Sequence, residues 1–260
     1  MSIILSVVIV EYHNIQEIKE CVASVKRHIK MPYEIIVSSN SCYDEQQSMA
    51  VDDEHVRWLF NPRNGGFAYA MNEGLKVARG RYLTIMNPDC IIESDLSGII
   101  GFMDSHPDVG AIAPQMHDAN GNIQDTARPY VTVPRYVWRQ VKRVVGHKVS
   151  ILDTKIDYTK TQTVDWLIGA FIMVSRQAYE ATDGLDDQYF MYAEDLDWCT
   201  RIRKAGFEVV YFPETQITYK GTRRARSNSK YARIFICSHF KYWRKFGFFF
   251  GHPRRKRMTF

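Results

Sequence analysis

The sequence predicts an α/β fold built on a mainly parallel sheet. Three observations carry this. Short β-branched apolar runs stop abruptly at polar turns, the segments between them space apolar residues as a helix does, and the two kinds alternate, which implies right-handed βαβ units. The chain has 260 residues, 45% hydrophobic and 24% charged. That is ordinary for a packed protein and argues against disorder.

The elements follow in order. Residues 2–10 read as a strand buried on both faces. They also resemble a short signal core, but no basic leader precedes them and they run straight into the patterned fold. Ile18, Cys21, Val22, Val25 and Ile29 mark one face of a helix that Pro32 ends. Residues 34–37 and 57–60 are strands, and 61–66 is a loop by composition. Phe67, Met71, Leu75 and Ala78 define the next helix, ended by Gly80. Tyr82–Met86 is a strand that stops at Asn87-Pro88-Asp89. Ser94 is placed to cap a helix bearing Leu96, Ile99, Ile100 and Met103, and residues 109–113 form another strand. Beyond these the pattern loosens. Residues 118–122 are a turn, 128–148 carry six Arg or Lys on an expected amphipathic helix, and 164–174 are strand-like. A helix opens at Glu194 and closes at Gly206, and a strand over 208–212 ends at Pro213.

Ligands of such sheets bind at the carboxyl ends of the strands. This puts residues 11–14, 38–40 and 87–89 on one rim, all polar and all following apolar strands. No GxGxxG occurs, which disfavours a dehydrogenase, and residues 11–14 lack the glycine-rich loop of a nucleotidyltransferase. Cys21, Cys42, Cys90, Cys199 and Cys237 are odd in number and widely spaced, so a reducing compartment is expected rather than a disulfide or zinc framework. No apolar run reaches the roughly 18 to 20 residues of a membrane span.

Taken in order, several pieces resemble the inverting family 2 glycosyltransferases of GT-A fold, most closely the rhamnosyltransferase-like subset of surface-polysaccharide assembly. They are residues 6–14 (Ser-Val-Val-Ile-Val-Glu-Tyr-His-Asn), Asn64-Gly65-Gly66-Phe67, Asn72-Glu73-Gly74, Ala78-Arg79-Gly80-Arg81-Tyr82, Asn87-Pro88-Asp89, Gly169-Ala170, 184–197 and 201–207. The resemblance spans about residues 3 to 221. It implies a GT-A domain over 1–221, with a nucleotide-sugar half (1–115) and an acceptor half (116–221), followed by a basic, aromatic extension (222–260). It further implies transfer from a dTDP- or UDP-sugar to a hydroxyl of a glycan or lipid-linked acceptor.

The resemblance assigns Val10, Tyr12, Asn14, Ser39, Asn40, Asn64, Gly66, Asn72, Asn87, Pro88 and Asp89 to the nucleotide sugar. Asp89 becomes the ligand of a Mg2+ or Mn2+ ion that offsets the diphosphate charge; read alone, the same three residues are a strand-ending turn. Asp195 becomes the base that takes the acceptor proton, with Glu194 orienting the acceptor. Read alone, they are acids complementing a helix N-terminus. Gly169, Ala170, Tyr192 and Asp197 fall on the acceptor side, although Asp197 faces elsewhere on a helix and is also readable as structural. Trp198 reads as core. Three positions depart from the family pattern: Glu11 where Thr or Ser is usual, Ser39 where Asp reads the base, and Tyr219 where a His can complete the metal site. They leave open a catalytically silent relative.

From residue 220 to 260 there are thirteen Lys or Arg and no acid, whereas residues 1–219 hold 21 basic and 29 acidic residues, a net of −8. Basic runs at 220–226 and 254–257 bracket Phe235, Phe240, Tyr242, Trp243, Phe246 and Phe248. Cations with aromatics suit an anionic membrane surface, a helix packed on the body, or RNA. The expectation is a cytoplasmic protein held peripherally on the inner face of the membrane, without a nucleic-acid partner.

Overall fold

The computed structural model describes residues 2–41, 53–145, 152–153, 156–221, 229–248 and 258–260. Cys42, the basic runs 222–226 and 254–257, and Phe249 and Phe250 lie outside the described residues.

Four parallel strands form one half of the main sheet: β1 (Leu5–Glu11), β2 (Tyr33–Ser39), β3 (Val56–Phe60) and β4 (Tyr82–Met86), in the order β3-β2-β1-β4. Every residue of β1 and β4 is buried, as expected of strands covered on both faces. The covering helices are α1 (Ile15–His28), which buries Ile18, Cys21, Val22 and Val25, and α2 (Phe67–Val77), which buries Met71 and Leu75. These match the spacing in the sequence.

The second half is mixed rather than parallel. After β5 (Cys90–Ile92), α3 (Ser97–Ser105), β6 (Val109–His117), β7 (Ala127–Arg128), α4 (Val133–Val144), β8 (Gln162–Thr163) and β9 (Trp166–Leu167), the chain enters β10 (Phe171–Ser175). β10 lies antiparallel between β4 and β6, with Phe171 opposite Met86. Residues 164–174 are therefore not one strand. Asp165 turns aside to accept the Tyr130 N–H at 3.0 Å, and Gly169 breaks the run. Ser94 does not cap α3: Leu96 holds that position without a side-chain cap bond.

Two more helices, α5 (Arg176–Thr182) and α6 (Glu194–Lys204), lead to β11 (Glu208–Tyr219). β11 continues through Pro213 because its register with β6 slips between Phe212 and Gln216, a bulge where proline's missing N–H is tolerated. Its far end pairs with β5, Tyr219 opposite Cys90. A further helix, α7 (Ser229–Phe246), packs on the body and buries Ser238, His239, Tyr242 and Trp243. The expected division at residue 115 falls inside β6, so both halves share one sheet. Much of the expected extension is this packed helix.

Candidate active site

The carboxyl ends of β1, β2 and β3 are stitched into one rim. Asn40 N–H donates to the Glu11 carbonyl at 2.9 Å, and Asn61 N–H to the Ser39 carbonyl at 2.9 Å. The Glu11 side chain is fully buried and turned into this rim. It accepts hydrogen bonds from the Ser39 hydroxyl (2.6 Å), the Ser41 hydroxyl (2.9 Å) and the Asn14 N–H (3.2 Å). Two of the three departures are thus a single feature. A carboxylate at 11 needs donors, and serine at 39 supplies one where aspartate would repel it.

Asn87, at the end of β4, donates its N–H to the Ala170 carbonyl at 2.8 Å, and the neighbouring Gly169 N–H donates to Asp195 Oδ2 at 2.8 Å. Two consecutive residues therefore tie the Asn87-Pro88-Asp89 turn to the first turn of α6. Asp89 is half-buried. Behind it lie the buried thiols of Cys21 and Cys90, kept protonated by burial and by the Asp89 charge. The pairing of β11 with β5 sets Tyr219 beside Asn87 and Asp89, where burial and then the Asp89 charge push its hydroxyl up. It is neutral and a poor cation ligand. Among the described residues no three His, Cys, Asp or Glu cluster as a metal cage. A magnesium-type site needs only one or two carboxylates completed by phosphate and water, so Asp89 fits the role with a bound diphosphate.

Burial pushes the carboxyls of both Glu194 and Asp195 up, but unequally. Asp195 receives N–H bonds from Gly169 and from Leu196 (2.7 Å), and these oppose the rise. Glu194 is buried, its Oε2 has no hydrogen-bond partner among the described residues, and the Asp195 charge raises it further. Burial and the neighbouring charge thus push Glu194 up further than Asp195, whose rise the two N–H bonds oppose. Tyr192 (φ 70°) and Ala193 (φ 66°) precede them in left-handed backbone, costing on the order of 1 to 3 kcal/mol each. This strained bend is held from α7: the Ser238 hydroxyl donates to the Met191 carbonyl at 2.8 Å, and the Tyr192 ring lies 5.6 Å from Phe235.

Several expected ligand residues are employed otherwise. Asp197 is fully buried and accepts from Arg201 Nε (2.6 Å), Lys245 Nζ (2.7 Å) and the Tyr189 hydroxyl (3.3 Å), so its acceptor role gives way to a structural one. The Asn72 amide holds the Leu185 backbone at both N–H (2.9 Å) and carbonyl (2.8 Å). It borders a cavity of about 390 Å3 shared with Asp183, Asp187, Arg201 and Lys245, away from Asp89. Gly66 (φ 92°) is required because a Cβ there would strike the Phe190 carbonyl. Asn40 donates to the Gly66 carbonyl at 3.0 Å, Asn64 accepts the Gly66 N–H at 3.0 Å, and Asn14 spans Tyr12 N–H and Glu17, each at 2.9 Å. Gly169 and Ala170 act through the backbone bridge already described. Val10 is buried in β1, Pro88 is half-buried within the turn, and Tyr12 is exposed on the rim.

One residue was missed. Arg128 stacks over the Trp166 ring at 5.1 Å and pairs with Asp125 at 2.7 Å. Its charge opposes the upward push of burial on both Asp195 and Tyr219. In sequence it is the first cation of a basic segment, and only the β7–β9 pairing separates it from the rest.

The family described as Glycosyl transferase family 2 matches residues 6–182. The N-acetylglucosaminyl-diphospho-decaprenol L-rhamnosyltransferase of Mycobacterium tuberculosis (strain ATCC 25618 / H37Rv) is 24% identical over 93% of this chain and 83% of its own length. Rhamnosyltransferase WbbL of Escherichia coli (strain K12) is 25% identical over 81% of each. Among solved structures, that of GalNAc-T7 with UDP, GalNAc and Mn2+ superposes with a TM-score of 0.65 at 17% identity. The chain spans 84% of itself in that superposition but only 43% of the larger protein. The matched span covers more than half of the chain and includes the Asn87-Pro88-Asp89 rim, and the longer relatives run through Asp195: the chain belongs to glycosyl transferase family 2 and has its GT-A fold.

Proposed function

We propose that this glycosyltransferase inverts configuration as it moves a hexose, rhamnose first among candidates, from a dTDP- or UDP-sugar to a hydroxyl of a lipid-linked glycan. The observation that carries the reading is the Gly169–Ala170 bridge, which joins Asp195 to the Asn87-Pro88-Asp89 turn through two adjacent peptide groups. In this reading Asp195 accepts the acceptor hydroxyl proton while that oxygen attacks the anomeric carbon. The bond from that carbon to the diphosphate breaks on the opposite face, and the diphosphate departs with the electron pair. Glu194, beside Asp195 at the start of α6, orients the acceptor. The exposed Tyr12 ring offers a face to the nucleotide base, and Arg128 adds positive charge to the cleft.

Asp89 is the residue that would hold Mg2+ or Mn2+, which when bound with the diphosphate neutralises its departing charge. The Mn2+ in the GalNAc-T7 structure supports a divalent ion, and the lipid-linked sugar in the Mycobacterium tuberculosis relative's name supports the acceptor class. We further propose peripheral attachment at the inner face, in keeping with that acceptor class; among the described residues no helix is long and apolar enough to cross a membrane. Tyr219 beside Asp89 favours a second reading, a relative that binds donor without transferring it.

One experiment separates them. Asp195→Asn is expected to cut kcat by about 10²- to 10⁴-fold while donor affinity stays within a few-fold, measured by single-turnover transfer and by calorimetry with and without Mn2+. Full activity in Asp195→Asn removes the base assignment. Donor binding without hydrolysis or transfer in the wild type, at any metal concentration, selects the silent relative.

A further inference from the structure

A helix of a water-exposed protein ordinarily turns its apolar stripe inward. α4 packs Val133 and Tyr136 on the body but leaves a second apolar stripe outside. Val137, Trp138, Val141 and the following Val145 recur at helical spacing and face outward, Trp138 at 60% and Val145 at 65% exposure. α7 repeats this on its outer side with Ile236 (58%) and Phe240 (53%). The two helices are neighbours: Tyr136 packs 5.7 Å from Trp243, and Val133 N–H donates to the Phe248 carbonyl at 3.0 Å. The Phe248 ring in turn lies 6.0 Å from Phe240. The outward stripes therefore adjoin.

We infer that α4 and α7 together form a platform that seats the protein in the plane of an anionic lipid surface, at the acceptor side of the cleft. The charge pattern identifies the occupant. Neither helix contains an Asp or Glu, while both carry Lys and Arg, on a body whose residues 1–219 total −8. Lys142 sits 5.4 Å over the Trp138 ring, pairing a cation with an aromatic as the headgroup layer favours. A second copy meeting this face across a two-fold axis would oppose cations to cations, whereas anionic headgroups complement them. The inner side of α7 holds Met191 and Tyr192, the residues leading into Glu194. A hydroxyl carried on a lipid beneath α7 is thus delivered to the carboxylate pair. The inference rests on the lipid-linked acceptor proposed above and adds the surface that reaches it.

The test uses the full chain, sedimented with phosphatidylcholine vesicles with and without phosphatidylglycerol. Wild type is expected to partition onto the anionic vesicles. The triple variant Trp138→Ser, Val141→Ser, Phe240→Ser is expected to partition about tenfold less, with unchanged circular dichroism and unchanged transfer to a water-soluble acceptor analogue. Lys142→Ser with Arg244→Ser is expected to weaken binding only where phosphatidylglycerol is present. Equal vesicle binding by the triple variant and wild type overturns the proposal. So does a lipid-free dimer in analytical ultracentrifugation that the triple variant dissolves, which would make the face a self-association surface. Failure of transfer to the soluble analogue in the wild type counts against the enzymatic reading instead, and leaves the vesicle result to stand by itself.

Discussion

Glu194 and Asp195 are neighbouring acids in the sequence, and they differ through what reaches them. Two N–H groups stabilise the Asp195 carboxylate, while Glu194 Oε2 is buried with no hydrogen-bond partner among the described residues. This difference has a measurable sign. In the unfolded chain Glu194 ionises near its ordinary value of 4.5, and in the fold it ionises well above it. Between those values the native state holds a proton that the unfolded state has lost. The contribution to stability is therefore full below the unfolded value and declines as pH rises through the window. Glu194→Gln removes the titration. Its thermal midpoint is expected to match wild type near roughly pH 4 and to exceed it near roughly pH 8, read from melts across that range. Parallel curves would mean that Glu194 ionises in the fold as it does in water.

At the level of elements, the rim shows how a substitution at one strand end dictates another. Glu11 ends β1 and Ser39 ends β2, and their side chains meet at 2.6 Å. Restoring the family's aspartate through Ser39→Asp is expected to destabilise by about 1 to 3 kcal/mol, since two buried carboxylates would face each other. Adding Glu11→Thr is expected to recover most of the loss. Urea unfolding of both single variants and the double gives the coupling, and additive losses would show that the pair is not one feature. Both departures were legible in the sequence, but only one by one, because their contact depends on strand pairing. The first half of the sheet was legible for the opposite reason: burial on both faces writes itself as a continuous apolar run. The same rule hid the direction of β10, since an antiparallel strand covered on both faces has the composition of a parallel one. Pro213 misled because the bulge that tolerates it is set by the register with β6. Motifs such as Asn72, residues 184–187 and Arg201 were recognisable as family marks, yet their work is to hold the bend before α6. The Arg201 guanidinium reaches the Gly184 carbonyl at 2.6 Å, and Asn72 holds Leu185.

Across the whole molecule, the basic C-terminal part is a support of the cleft as well as a surface. Lys245 reaches both Asp186 (2.6 Å) and the fully buried Asp197 (2.7 Å), and the Tyr242 and Thr200 hydroxyls meet at 3.0 Å. α7 thereby grips α6 and the bend that presents Glu194 and Asp195. Trp243 anchors this grip from the other side, buried against Tyr136 with its indole N–H on the Val131 carbonyl at 2.7 Å. Trp243→Ala opens a cavity and orphans that carbonyl, at an expected cost of about 3 to 5 kcal/mol. The strained Tyr192–Ala193 backbone should relax once α7 loosens, so kcat on a soluble acceptor is expected to fall more than donor affinity does. Ile236→Ser, on the outer side of the same helix, is the control: it should leave both stability and soluble transfer near wild type. Denaturant unfolding and steady-state kinetics on the two variants distinguish a helix that positions the carboxylates from a tail that merely accompanies them. In the second case Trp243→Ala would cost stability without changing the ratio of kcat to donor affinity.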